Sequence, residues 1–350
     1  QNGGVLTYRI MDNNQEIVNL QDDVINDLSG DRGGIYTASS DGWVGCINKN
    51  GELRNVDIER SDLQSIAHAD NGNCVYVGTE NQEIYRYNWK IGSRHKIEIE
   101  KDGELWTGED RISDIHYYSN SPEDDYVAYT LWNKRLLVLV KLQGMTKGDV
   151  IGTGILRTGN LKFDDICFAG ERLIYSVVGR GIFGMRVEEL RTEIPERELL
   201  ADHQIVLPLP DAERFFLSWA SGNQKLMAAA LNSRSGQYDV YEVNLATKKR
   251  EHRLLEMDWM FGNNNYQPNP EQIKGFSVSE EGEFAAFSGS SLSVFHKNSS
   301  YYALTGEPIK AKISCQDTDF TGQVGLSTHQ ADILKERGAV IQGGTQDEQG

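Results

Sequence analysis

Three aspartates stand at the same place in a recurring short strand: Asp27 in Ile25-Asn-Asp-Leu28, Asp114 in Ile112-Ser-Asp-Ile115 and Asp165 in Phe163-Asp-Asp-Ile166. A carboxylate repeated in this way can face a common channel mouth, where it would attract a basic peptide or a cation. Alternatively it hydrogen-bonds to backbone in the loop between repeats, a role that recurs with the architecture. Repetition favours the second role, and the three are carried as candidate channel carboxylates. A second cluster is apolar. Trp259, Met260 and Phe261 lie in a long insertion over 251–271 and read as a partner contact or as a lid on their own repeat.

Motifs of catalysis are missing. The chain has no Gly-x-Ser-x-Gly elbow, His-Glu-x-x-His pair or phosphate loop. Gly152-Thr-Gly154 reads as a turn, not a dinucleotide site, because no helix follows. Seven histidines, His116 among them, are scattered and read as surface or packing residues. Cys46, Cys74, Cys167 and Cys315 form no Cys-x-x-Cys pair and read as buried thiols, with a Cys46–Cys74 bridge as the alternative. No Asp-x-Asp loop of the kind that supplies the six to eight oxygens of a hard cation is seen. No catalytic residue, metal or cofactor is therefore expected. An enzyme (hydrolase-like) or small-ligand sensor, with residues from several repeats meeting in a central channel, is the alternative that spacing does not reveal.

Charge narrows the partners. With 52 acidic against 35 basic residues, the net charge is −17. Such a balance repels phosphate backbones and anionic lipid, which disfavours nucleic acid. The short cluster Arg94-His-Lys96 reads as a solvated loop. No apolar run reaches 18 residues, so no membrane insertion is expected. No signal-peptide pattern is present, and the chain starts at Gln1. Cytoplasm or another intracellular compartment is the expectation, with earlier removal of an N-terminal segment left open.

The elements that must position these residues are strands. A unit recurs in which a short apolar strand leads to an apolar strand, a polar or Gly-rich hairpin, and a third strand. Units start at 25, 63, 112, 163, 216, 273 and 313, at spacings of 38, 49, 51, 53, 57 and 40 residues. Propeller blades repeat at roughly 40–50 residues. Val, Ile, Tyr and Phe dominate, as a pleated, half-buried surface requires. Second strands apolar on both faces fit sheets stacked between two neighbours. The expected fold is all-β: one seven-bladed β-propeller over 1–342, with a flexible tail at 343–350. Segments within 1–20 lack inner strands of their own and are expected to complete the last blade beside 313–342, closing the ring. Glu188–Leu200, inside a second insertion at 188–214, carries a helical periodicity.

Ala38-Ser-Ser-Asp-Gly-Trp-Val-Gly-Cys-Ile47 resembles the second-to-third strand stretch of WD40 repeats, and Ile112-Ser-Asp-Ile-His-Tyr-Tyr117 is similar to their opening strand. The Gly-His and Trp-Asp dipeptides of that family are missing. The resemblance implies a binding platform whose top face is built from hairpins between second and third strands. By position that face holds Asp41, Trp43, Glu80, Asn81, Trp132, Lys134, Arg180, Arg234 and His329. Exposed Trp and Arg are the residues on which binding hot spots are built. Trp43 and Trp132 lead the list, each with packing over its own hairpin as the alternative. The expected function is a non-catalytic protein–protein interaction scaffold within a larger complex, holding a protein or peptide, with a basic one among the candidates.

Overall fold

A computed structural model describes residues 3–256 apart from 10–13, 22–24, 32–33, 41, 49–52, 58–61, 70–72, 122–123, 191–192 and 248, and further on the strands 275–278, 284–288, 291–297, 301–304 and 309–310. The chain divides into Gln1–Pro308 and Ile309–Gly350. The expected seventh repeat, the tail and Cys315 lie outside the described residues.

Each of six repeats becomes four consecutive antiparallel strands; short strands widen the third sheet to seven strands, and the outer strands Lys249–Glu256 and Tyr301–Leu304 pair in parallel and join the fifth and sixth repeats in one larger sheet. Their inner strands are Ile25–Asp31, Leu63–His68, Ile112–Ser121, Phe163–Ala169, Ala212–Ala220 and Gly275–Val278. Each inner strand pairs with a second strand, that with a third, and the third with an outer strand. Inner strands touch one another in chain order, from the first sheet to the sixth. This is the arrangement of blades around an axis.

The sequence makes these strands because both faces of the middle sheets are covered. Cys74–Thr79 is buried at every residue, and so are Tyr126–Leu131 within the third sheet and Leu173–Val177 within the fourth. The core is not one mass but a series of seams. Tyr36 and Val44 pack with Leu63 and Tyr85 between sheets one and two. Ile84 packs with Ile115 and Val138 between two and three. Leu137 packs with Ile166 and Tyr175 between three and four, and Ile174 with Phe215 and Ala228 between four and five. Stacked rings staple neighbouring sheets: Tyr76 of a second strand on Tyr117 of the next inner strand at 5.1 Å, and Tyr118 on Phe168 between two inner strands at 5.2 Å.

Gly3–Arg9 and Asn14–Gln21 pair with each other as an antiparallel hairpin, and the second of them runs alongside the first sheet. Their expected pairing with 313–342 lies outside the described residues. Cys46, Cys74 and Cys167 are buried thiols outside any disulfide, so no Cys46–Cys74 bridge forms.

Gly152-Thr-Gly154 is not a turn. It lies in the outer strand Lys147–Ile155 of the third sheet. Its glycines admit a close neighbour: a Cβ on Gly152 would sit 1.4 Å from the Leu190 carbonyl oxygen, and one on Gly154 would meet the Leu199 side chain. Glycine in a strand interior marks such an approach. The 188–214 insertion thus packs over this strand, with short helices at Val187–Leu190 and Glu196–Leu199 in place of one long helix.

Candidate functional site

The hairpins between second and third strands lie at the starting ends of the inner strands. Glu80 N–H donates to the Asp62 carbonyl, Trp132 N–H to that of Arg111, and Ser233 N–H to that of Asp211. Each acceptor stands just before an inner strand.

The hairpin of the third sheet is the most firmly built. Asp110 is 3% exposed. Its carboxylate accepts N–H bonds from Arg111, Asn133 and Lys134 and one from the Asn133 side chain, at 2.7–3.0 Å. One buried anion thus fixes the turn, as a side-chain oxygen does in an Asx turn. Arg135 completes the reversal in the left-handed region at φ 50° and donates to the Gly159 carbonyl at 2.5 Å. Lys134 Nζ donates to Gln82 Oε1 in the neighbouring hairpin at 3.1 Å.

Trp132 crowns this turn and is 40% exposed. Cations from two sheets flank its ring. The Arg111 guanidinium lies 4.8 Å and the Lys162 ammonium 4.4 Å from the ring centroid. Such contacts hold an aromatic plane in place without burying it. Trp43 is 39% exposed at the start of its strand, and its carbonyl accepts the Ser39 hydroxyl. Glu80, Asn81, Lys134 and Arg180 are exposed on their hairpins. Arg234 pairs with Asp211 at 2.9 Å. Asp41, His329, Trp259, Met260 and Phe261 lie outside the described residues.

The repeated aspartates link the blades. Asp27 Oδ2 accepts the Ile66 N–H at 2.8 Å, Asp114 Oδ2 that of Ile166 at 2.8 Å, and Asp165 Oδ2 that of Leu217 at 2.6 Å. Each bond runs from one inner strand to the next. Asp164 adds a bond to Phe215 N–H at 2.5 Å. Sheet two carries Ser65 instead, and its hydroxyl is buried with no hydrogen-bond partner. Burial, the adjoining Asp114 carboxylate and Asp164 hold Asp165 well above the ordinary carboxylate range. Burial also raises Asp164, against the pull of the Phe215 N–H and of Lys162. His116 Nε2 lies 3.7 Å from Asp114 Oδ1 on the same strand face.

Sequence reasoning selected Trp132 and Lys134 but missed Asp110, Arg111 and Lys162, which hold them. The available signal was position: all three lie immediately before inner strands, where the hairpins of the same end arrive.

No family model and no curated protein sequence matches the chain. Solved structures do. The β-propeller domain of Cps50 (Swd1) from Myceliophteria thermophila superposes with a TM-score of 0.55 at 9% identity, over 83% of this chain and 86% of that one. The WD40 domain of Pan2 from Neurospora crassa gives a TM-score of 0.53 at 11% identity, over 82% and 80%. Identity this low carries fold alone. With the blade order and the seams between sheets, it makes this chain a divergent β-propeller with the fold of WD40 domains.

Proposed function

We propose that the chain is a non-catalytic interaction scaffold that holds a protein or peptide against the face formed by its second-to-third strand hairpins. The observation that carries this reading is Trp132, 40% exposed, with two cations held against its ring, on a turn pinned by a buried carboxylate. An aromatic that is rigid before contact loses little entropy on binding, and Trp and Arg head the residues that dominate interface energies. A surface Trp serving only its own hairpin has no need of a clamp from the next blade.

The charge of the partner follows from the same place. Asp27, Asp114 and Asp165 accept backbone N–H groups, which leaves less of their capacity for a basic peptide. Around Trp132 stand Arg111, Lys134, Arg135 and Lys162. A segment with acidic side chains beside an apolar anchor suits this surface better than a basic one. The net charge of −17 continues to oppose a long polyanion such as nucleic acid.

The test is affinity capture from source cells with three forms of the full chain: native, Trp132→Ala and Met145→Ala. Met145 is 49% exposed on the hairpin at the other end of the same sheet. The reading expects specific partners retained by the native and Met145→Ala chains and lost with Trp132→Ala. Equal recovery from Trp132→Ala counts against it.

A further inference from the structure

Between the third and fourth inner strands lie three metal-type donors. Asp114 and His116 are two apart on one strand, so their side chains share a face. Asp165 comes from the next strand. One donor atom from each of the three falls within 4.8 Å of the other two. We propose that Asp114, His116 and Asp165 form a binding site for a first-row divalent cation, of which Zn²⁺ is the representative.

The donor set selects the class of ion. One imidazole nitrogen with two carboxylate oxygens suits borderline ions, whereas Ca²⁺ asks for six to eight oxygens. Three protein ligands with a fourth position open is the pattern of zinc sites that keep a water. Ligand atoms around tetrahedral Zn²⁺ stand about 3.3 Å apart for bonds of about 2.0 Å. His116 Nε2 and Asp114 Oδ1, at 3.7 Å, are already close to that. Closing the rest of the set takes movements on the order of 1 Å, within the reach of side-chain rotation.

The carboxylates are oriented from behind. Ile166 N–H is shared between Asp114 Oδ2 at 2.8 Å and Asp165 Oδ1 at 2.9 Å, and Leu217 N–H holds Asp165 Oδ2. Each oxygen has two lone pairs, so one backbone bond leaves each able to ligate. Outer bonds of this kind fix metal ligands and are worth tenfold to a hundredfold in affinity. An ion would enter from the side of His116, whose side chain is 37% exposed, while that of Asp114 is only 14% exposed. Nothing in the motif inventory shows this site, since its third ligand is on another blade.

The experiment is calorimetric titration of the chelator-treated full chain with ZnCl₂ and, separately, CaCl₂, with visible absorption on CoCl₂. One Zn²⁺ per chain is expected, with cobalt bands in the visible. His116→Ala and Asp165→Asn are each expected to weaken Zn²⁺ by at least about 100-fold, beyond what loss of an outer-shell bond costs. Asparagine at 165 keeps an oxygen for Leu217 N–H, and the inter-strand bonds do not run through His116, so far-UV circular dichroism should not change. Should Asp165→Asn fail to fold, His116→Ala decides alone. Three results overturn the proposal: no heat with Zn²⁺, Zn²⁺ bound equally well by His116→Ala, or Ca²⁺ bound as tightly as Zn²⁺.

Discussion

Asp114 of the third inner strand accepts the backbone N–H of Ile166 in the fourth at 2.8 Å. Asp27 does the same for Ile66 in the next sheet. WD40 repeats join their elements through side chains at the blade ends, and this chain lacks those dipeptides. Here an inner-strand carboxylate reaches directly to the neighbouring blade.

Replacing Asp27 with alanine removes the acceptor and leaves the Ile66 N–H at a closed seam. A loss of about 1–3 kcal/mol is expected. Asp27→Asn, which keeps an oxygen, should lose less than half as much. Urea denaturation of the three chains measures this, and equal stability of all three counts against the role given to Asp27.

Asp110→Ala should loosen one hairpin. Its carboxylate accepts four hydrogen bonds at the turn that carries Trp132. The expected cost is about 2–4 kcal/mol, because bonds to a charged acceptor exceed neutral ones. Hydrogen exchange should quicken at the amides of Asn133 and Lys134 and stay unchanged in the fifth sheet.

How far the fold was legible follows from what each signal depends on. The strands read clearly because Val, Ile and Tyr recur where both sheet faces are covered. The repeated aspartates were recognisable as architecture, and they do bind backbone, but in the next inner strand and not in the loop between blades. That their targets lie on the next inner strand was not readable, since Asp114 and Ile166 are 52 residues apart. Gly152-Thr-Gly154 misled for the same reason. Glycine suggests a turn locally, but the cause here is the approach of Leu190, which only the folded chain brings near. Asp110 and Lys162 look like ordinary linker charges until the hairpin arrives beside them.

Gly152→Ala follows from that close approach. A Cβ placed 1.4 Å from the Leu190 oxygen forces the 187–199 segment off the outer strand. Destabilisation of about 3 kcal/mol is expected, the upper end for overpacking. Gly144→Ala meets no atom within 4 Å, and its positive φ of 72° adds only backbone strain. A thermal melt should therefore show the larger drop for Gly152→Ala.

Acid should attack the seam between the fifth and sixth sheets. Glu242, with its side chain 2% exposed, is paired with Lys225 and with Lys297 of the next sheet. Burial opposes its charge, but hydrogen bonds and attraction from both lysines outweigh this and bring its pKa from 4.5 down to about 2. A carboxylate lowered by folding stabilises the fold above its unfolded value and loses that contribution as pH falls through the folded one. The contribution should therefore be whole above about 4.5 and fade towards pH 2. Glu242→Gln should be less stable at pH 7 and flatter across that window. A Gln variant with the native pH profile contradicts the assignment.

A partner docked on the crest around Trp132 should shield that hairpin from solvent. The most direct test is hydrogen exchange of the full chain with and without a partner recovered by capture. The account predicts added protection at the 132–135 hairpin and beside Arg111 and Lys162, with none around Met145. Protection centred on Met145 or Ile91, with the Trp132 hairpin unchanged, would contradict it.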